Sequence, residues 1–324
     1  MAAPAGTFQT HQAIGNREDL SSVIYDISPM EFPFMSRAPR VKAKSTLHEW
    51  QTDALAAPAS NANIEGDDSA VNTAVPTVRL NNKCQIFKKT IQVSGTQDAM
   101  DPAGRDRESA YQLMKRGKEI KRDIERALTQ NQGSSAGTAT TARTLASTES
   151  WLFTNRTSKG TGSDQTTYGF SSGNVQAPFD STATSSFTEN DLKAMIQAAW
   201  SAGGNPSLVL VGPNCKKKIS TFTGQATKYT ETGSTSKTTK IIGAADVYVS
   251  DFGEHQIVPS RFCRDVTVQL LDLDYWAVAY LRGITKEKLA KTGDSDKWHI
   301  VTELTLESRQ EAANSKITDV NGTL

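Results

Sequence analysis

One long stretch of helical periodicity, from Asp101-Pro102 to about Gln130, constrains this chain more than any other feature. Asp is a good N-cap and Pro suits the first helical position, while Gly133 can close the far end. Leu113, Ile120, Ile124, Ala127 and Leu128 fall on one face of the predicted helix. Lys115/Glu119 and Lys121/Glu125 are opposite charges four residues apart on the rest of it. At about 1.5 Å per residue this is a rod of roughly 40 Å, whose apolar stripe must be buried against a sheet. Eight Lys or Arg lie along it, but five acids interleave with them. Mixed signs weaken a patch, so the polar side reads as a solvated or interface face and not as a nucleic-acid stripe.

Around the rod the chain alternates between structured and polar tracts. The first 16 residues read as a flexible arm, with no Lys or Arg before Arg17 and no apolar run of the secretory kind. A short helix from Arg17 to Ile27, capped by Asn16, is followed by Pro29, Pro33 and Pro39, which impose extended backbone. Met30, Phe32, Phe34 and Met35 are apolar within that unhelical stretch, so they are expected to lie on a surface, the chain's own or a neighbour's. Strand-like segments from Leu47 to Trp50 and from Val75 to Val93 flank the polar tract Ala54 to Ala74, a long hairpin-like loop. Between residues 133 and 187, 23 of 55 residues are Ser or Thr. Such a tract needs pins, and Trp151, Leu152, Phe153, Phe170 and Phe179 are the candidates.

Thr188 with Asp191 three residues on is a capping box for a helix to Ala202, with Phe187 stapling to Leu192 and Gly203-Gly204 ending it. Ser207 to Val211 is a buried strand, and Gly212-Pro213 opens a second short helix towards Phe222. After the polar tract Gly224 to Lys240, strands are expected at Val247–Val249, Val266–Leu271, Trp276–Leu281 and Ile300–Leu306. The class is α+β. Its 324 residues predict about two folded units, at ~150 residues each.

Composition removes several functions. The net charge of +1 gives no field to steer a polyanion or anchor a membrane. No apolar run approaches the ~20 residues that span a bilayer. Three distant cysteines, Cys84, Cys215 and Cys263, form neither a disulfide framework nor a zinc ribbon, and read as thiols of a reducing compartment. Val211-Gly212-Pro213-Asn214-Cys215 followed by three lysines looks like a phosphate loop, but the second Gly before Lys is missing. Asp272 and Asp274 read as a strand-end turn, and Glu65, Asp67 and Asp68 as a solvated acidic tip. The four histidines lack two-His helical spacing, and neither Cys-x-x-Cys nor Gly-x-Ser-x-Gly occurs. No catalytic, cofactor-binding or metal-ligating residue is assigned.

Six stretches, in order, carry a resemblance: Glu119–Glu125 (EIKRDIE), Ala142–Trp151 (ARTLASTESW), Val247–Gly253 (VYVSDFG), Tyr280–Arg282 (YLR), Leu289–Asp294 (LAKTGD) and Glu303–Arg309 (ELTLESR). Together they resemble the major capsid proteins of a podovirus-linked group of tailed bacterial viruses, which have the Hong Kong 97 fold. The resemblance covers about residues 17 to 320. Arg282, Lys291 and Glu303 match family positions, without any catalytic role.

The resemblance implies four parts: an N-terminal arm at 1–47, an extended loop at 48–95, a peripheral domain with a long spine helix at 96–132 and 289–324, and an axial domain at 133–288. It implies a structural protein, not an enzyme, that self-assembles into the pentamers and hexamers of an icosahedral phage head around double-stranded DNA. The alternatives are another virion component, tail or decoration, or an α+β enzyme with an unrecognised site. Candidate subunit-contact residues are Met30, Phe32, Phe34, Trp50 and Ile64. Scaffold, portal or decoration proteins are further expected partners, packaged DNA is contacted weakly and without sequence specificity, no membrane and no cofactor are involved, and assembly takes place in the host bacterial cytoplasm.

Overall fold

A computed structural model describes residues 31–66, 68, 73–100, 107–160, 168–179, 181, 183–222 and 246–322. The expected Arg17–Ile27 helix, Met30, the Asp101-Pro102 cap and the tract Gly224–Lys240 lie outside the described residues.

The rod is present as a helix over Glu108–Thr129, which is α3 in the chain-order labels used below. Ile120, Ile124, Ala127 and Leu128 are buried along its apolar stripe. It packs on a four-stranded sheet made of β1 (Arg40–Lys42), β4 (Gln85–Ser94), β13 (Trp276–Lys288) and β14 (Ser295–Ser308), ordered β1-β13-β14-β4. Along β4, Phe87, Ile91 and Val93 are buried and alternate with polar or exposed positions, so one face of the sheet meets the rod. A short helix α2 (Gly95–Ala99), capped by the Ser94 hydroxyl, follows β4.

The second sheet has six strands, ordered β10-β11-β9-β12-β15-β5. They are β5 (Arg156–Ser158), β9 (Leu208–Val211), β10 (Val247–Ser250), β11 (Gly253–Pro259), β12 (Val268–Leu271) and β15 (Ser315–Thr318). β9 is buried on both faces, which explains its unbroken apolar sequence. Val209 and Val211 face α5 (Glu189–Ser201) and α6 (Pro213–Ile219), packing with Leu192, Ile196 and Ile219. Leu208 and Leu210 face the other way and join the core of Ile120, Ile124, Trp276 and Leu306. That shared strand welds the two sheets together.

The capping box of α5 forms as expected: Thr188 accepts from the Asp191 N–H at 3.4 Å, and Asp191 accepts from the Thr188 N–H at 2.9 Å. Gly203, at φ +90°, then ends the helix, and its N–H donates to the Trp200 carbonyl. At Gly212, the N-cap of α6, an added Cβ would meet the backbone of Asp265, whose carboxylate already accepts from the Asn214 N–H at 3.2 Å. A protein carboxylate therefore stands where the phosphate-loop reading would have put an anion.

Several expectations are corrected. The stretch after Pro29 is not uniformly extended: Pro33–Arg37 forms a five-residue helix, α1, because Pro33 at its first position fits helical φ and two of its free N–H groups find an acceptor. β4 belongs to the rod-bearing sheet, so the projecting hairpin is only β2 (Leu47–Thr52) against β3 (Val78–Lys83). A boundary near Leu289 falls in the connection of the β13–β14 hairpin, whose two strands share one sheet, while β15 sits in the other sheet. Phe179 is half exposed and does not pin its tract. That tract is held by α4 (Thr148–Trp151), β6 (Gly169–Ser171) paired with β7 (Asn174–Gln176), and β8 (Ser185–Ser186) paired with β16 (Val320–Asn321).

Candidate subunit-contact site

The candidate contact residues lie on two segments, the arm and the hairpin loop, and each segment has a base fixed to the core. In α1, the N–H groups of Phe34 and Met35 donate to the two carboxylate oxygens of Glu125, both at 2.8 Å. Glu125 projects from α3 and is fully buried. Burial pushes its carboxyl above the ordinary carboxylate range, and the two backbone N–H groups offset part of that shift. The expected surface pair Lys121/Glu125 is therefore wrong for Glu125, because a backbone partner 91 residues away in sequence takes the carboxylate.

Phe34 is wholly buried and meets Trp276 edge-on at 6.3 Å, while Phe32 stacks on Phe262 at 6.5 Å. As a subunit contact Phe34 is corrected: it has no surface left for a neighbour. Phe32 is partly covered by its own subunit.

The hairpin β2–β3 is pinned in the same manner. Trp50 donates its indole N–H to the Ser308 carbonyl at 2.8 Å, and its ring lies 5.5 Å from Trp151, which stacks on Phe170. His48 meets Glu307 at 3.1 Å, and this hydrogen bond holds the Glu307 carboxyl below its ordinary range. Asn82, fully buried in β3, donates to the carbonyls of Ala146 and Leu306 and accepts from the Ala146 N–H. Beside it the Glu303 carboxylate takes Arg143 at 2.5 Å and Arg282 at 3.1 Å. Three of the six sequence stretches thus converge on one junction, at Arg143, Arg282 and Glu303. Glu303 is buried while both arginines stay partly exposed, so the cluster fixes the geometry of the junction more than it adds stability.

Beyond this junction the loop leaves its subunit. Residues 53–66 are all exposed, with Leu55 at 99% and Ile64 at 81% of their full accessibility. Of the candidate contacts, then, Ile64 is open, Trp50 is turned inward, and Met30 is outside the described residues.

The rest of the site carries no assembled chemistry. Burial pushes the Cys84 thiol up to about 11 and the Cys215 thiol to about 12, and Cys263 is raised well beyond its usual value. Asp272 caps a single turn, accepting from the Asp274 N–H, as a strand-end turn would. Among the described residues no three His, Cys, Asp or Glu are grouped to hold a metal ion, and no helix is long and apolar enough to cross a membrane. Glu125 and Asn82 were not found by sequence reasoning. The only signal for Glu125 was Pro33, which announces a helix start whose N–H groups need an acceptor.

Comparison with known proteins bears on this geometry. The major capsid protein of Escherichia phage Phieco32 is 27% identical over 342 residues, covering 97% of each chain. The solved capsid asymmetric unit of cyanophage A-1(L) is similar with a TM-score of 0.67 at 12% identity, over 96% of this chain and 98% of that one. The capsid of a native GTA particle is similar at 0.62 and 10% identity, over 96% and 97%. The architecture is the α+β Hong Kong 97-like capsid fold, that of a subunit made to build closed shells. A family model described as SU10 major capsid protein matches residues 4–321, and the chain belongs to that family. It is a structural protein of the icosahedral phage head, located in the virion capsid, and not an enzyme.

Proposed function

We propose that this subunit closes into five- and six-membered rings in which the β2–β3 hairpin of each copy lies on the next. A heterologous contact of this kind closes only when its rotation closes, and many modest contacts in parallel make assembly steep. The carrying observation is the contrast within the hairpin: its base is locked by Trp50, His48 and Asn82, while Leu55 and Ile64 beyond it stand largely exposed. Apolar side chains held that far from their own core belong on another surface.

On this reading the four-stranded sheet with α3 is the peripheral unit, and the six-stranded sheet with α5 and α6 is the axial unit facing the ring centre. The arm, residues 1–47, reaches a neighbour from the anchor at α1. Portal, scaffold and decoration proteins are further partners in a head, and a net charge of +1 suits weak, sequence-independent contact with packaged DNA. Three buried free thiols fit assembly in a reducing cytoplasm. Deleting Ala56–Ser69 tests the hairpin: the subunit should melt as the parent does yet give no shells in electron micrographs. Normal curved shells from the deletion variant would refute the assignment.

A further inference from the structure

The four acids of α3, Glu108, Glu119, Asp123 and Glu125, do not screen its bases as their order in the sequence suggests. Glu108 takes the Gln112 side chain at 2.7 Å. Glu119 pairs with Arg116 at 2.5 Å, and Asp123 pairs with Lys89 of β4 at 2.7 Å. Glu125 is buried beneath α1 and accepts its N–H groups. Among the described residues no acid pairs with Lys115, Lys118, Arg122 or Arg126. The expectation that mixed signs weaken this face is corrected, because interleaving along the chain is not interleaving in space.

Those four bases recur at steps of three, four and four residues, so at 3.6 residues per turn they fall within an arc of about 80° and a length of about 16 Å. Lys115 and Arg126 are exposed, and Lys118 and Arg122 are partly so. Arg122 lies 5.9 Å over the Phe262 ring, which itself stacks on Phe32. A guanidinium held by its flat side loses less freedom when its N–H edge meets an anion. Met114, the exposed large apolar side chain of α3, falls outside the arc, so the face lacks the apolar centre of a protein interface.

We propose that this face of α3, at Lys115, Lys118, Arg122 and Arg126, is the surface on which the subunit meets packaged double-stranded DNA, through phosphates and not through base edges. This rests on the reading of weak, sequence-independent DNA contact above and adds the residues that make it. A duplex carries one charge per ~1.7 Å of axis, so a row of about 16 Å finds phosphates in any register. Few contacts per subunit keep each grip weak, and the many copies of a head act in parallel.

Each phosphate neutralised adds ~0.9 to the fall of log K with log salt. Four contacts therefore predict a ~150-fold loss of affinity between about 50 and 200 mM salt, and two contacts only ~12-fold. Anisotropy of a labelled duplex of arbitrary sequence, titrated with the unassembled full-length chain, measures this. Lys115→Gln with Lys118→Gln should take the parent's loss to the two-contact value without changing melting, while Lys115→Arg with Lys118→Arg should keep the parent's. Lys121→Gln with Lys217→Gln removes two exposed charges outside the arc and should leave binding unaltered. A parent that binds without salt dependence removes the DNA-contact reading itself, and the proposal with it. A steep parental dependence that the first pair leaves intact, or that the control pair lowers as much, removes only the assignment to α3. A first pair that binds DNA as the parent does but forms no shells also overturns the proposal, and assigns the face to contact between copies. If that pair melts early, the single changes Lys115→Gln and Lys118→Gln decide instead: each should lower the salt slope by ~0.9, and an unchanged slope in both overturns the proposal.

Discussion

Replacing Glu125 by Ala strips the only side-chain acceptor from two N–H groups at the start of α1, those of Phe34 and Met35, each now 2.8 Å from a carboxylate oxygen. An unsatisfied buried donor costs about 1–3 kcal/mol, so the pair costs roughly 2–6 kcal/mol. That is a large share of a domain's ~5–15 kcal/mol. Glu125→Gln keeps one carbonyl acceptor but turns an amide N–H towards the other donor, at about half the cost. The pH dependence has a definite direction. Burial, the larger influence, raises the folded-state pKa above the unfolded one despite the two hydrogen bonds. The group's contribution is then fully present below the unfolded value of about 4.3 and is lost as pH rises through the folded value. The parent's advantage over Glu125→Gln should therefore shrink from pH 4 towards neutrality. Thermal melting across pH measures this, and trypsin cleavage after Arg37 reports local release of α1, expected to be faster in Glu125→Ala. An Ala variant that melts and cleaves like the parent would refute the anchor. A parental advantage that grows with pH would show that the hydrogen bonds outweigh burial.

Two further outcomes are expected. Ile124→Asp places a carboxylate in the core between α3 and the sheet, where Ile124 has no exposed surface, and should yield no correctly melting subunit, whereas Ile124→Val should cost only ~0.5–1.5 kcal/mol. The three thiols should resist alkylation at pH 8 in the folded protein and label only in denaturant, since a pKa of about 11 leaves Cys84 on the order of one part in a thousand as thiolate; rapid labelling of the native chain would contradict their burial.

Local signals carried the elements that are local in cause. The period of α3, the Thr188–Asp191 cap and the apolar run of β9 are all decided within a dozen residues; the cap and β9 stand where their patterns placed them, while α3 keeps its apolar face but starts at Glu108, after Arg107 in extended backbone, and not at Pro102. Long-range pairing escaped. β4 joined β14 in the rod's sheet because Ile91 meets Trp298 and Phe87 meets Thr302 across more than 200 residues, and no spacing within β4 announces that. The junction of Arg143, Arg282 and Glu303 was visible only as three separate stretches of resemblance. Its acid lies on a strand whose last nine residues are buried, where alternation gives no hint of which side chain is charged for a purpose.

The reading of the rod's charges shows where linear reasoning fails for an assembling subunit. In sequence, acids and bases interleave along α3, with bases only modestly in excess. In space the acids are drawn inward or sideways, by the N–H groups of α1, by Arg116 and by Lys89, and the outward face is left basic. The hairpin shows the same division: interactions with its own core are concentrated at Trp50, His48 and Asn82, while Leu55 and Ile64 are largely exposed. A subunit that satisfied both surfaces internally would be more stable alone and would have no free energy left to gain from a neighbour. Under the hairpin contact proposed above, an open loop transfers that gain to the shell, where the contact forms only when the ring geometry is correct.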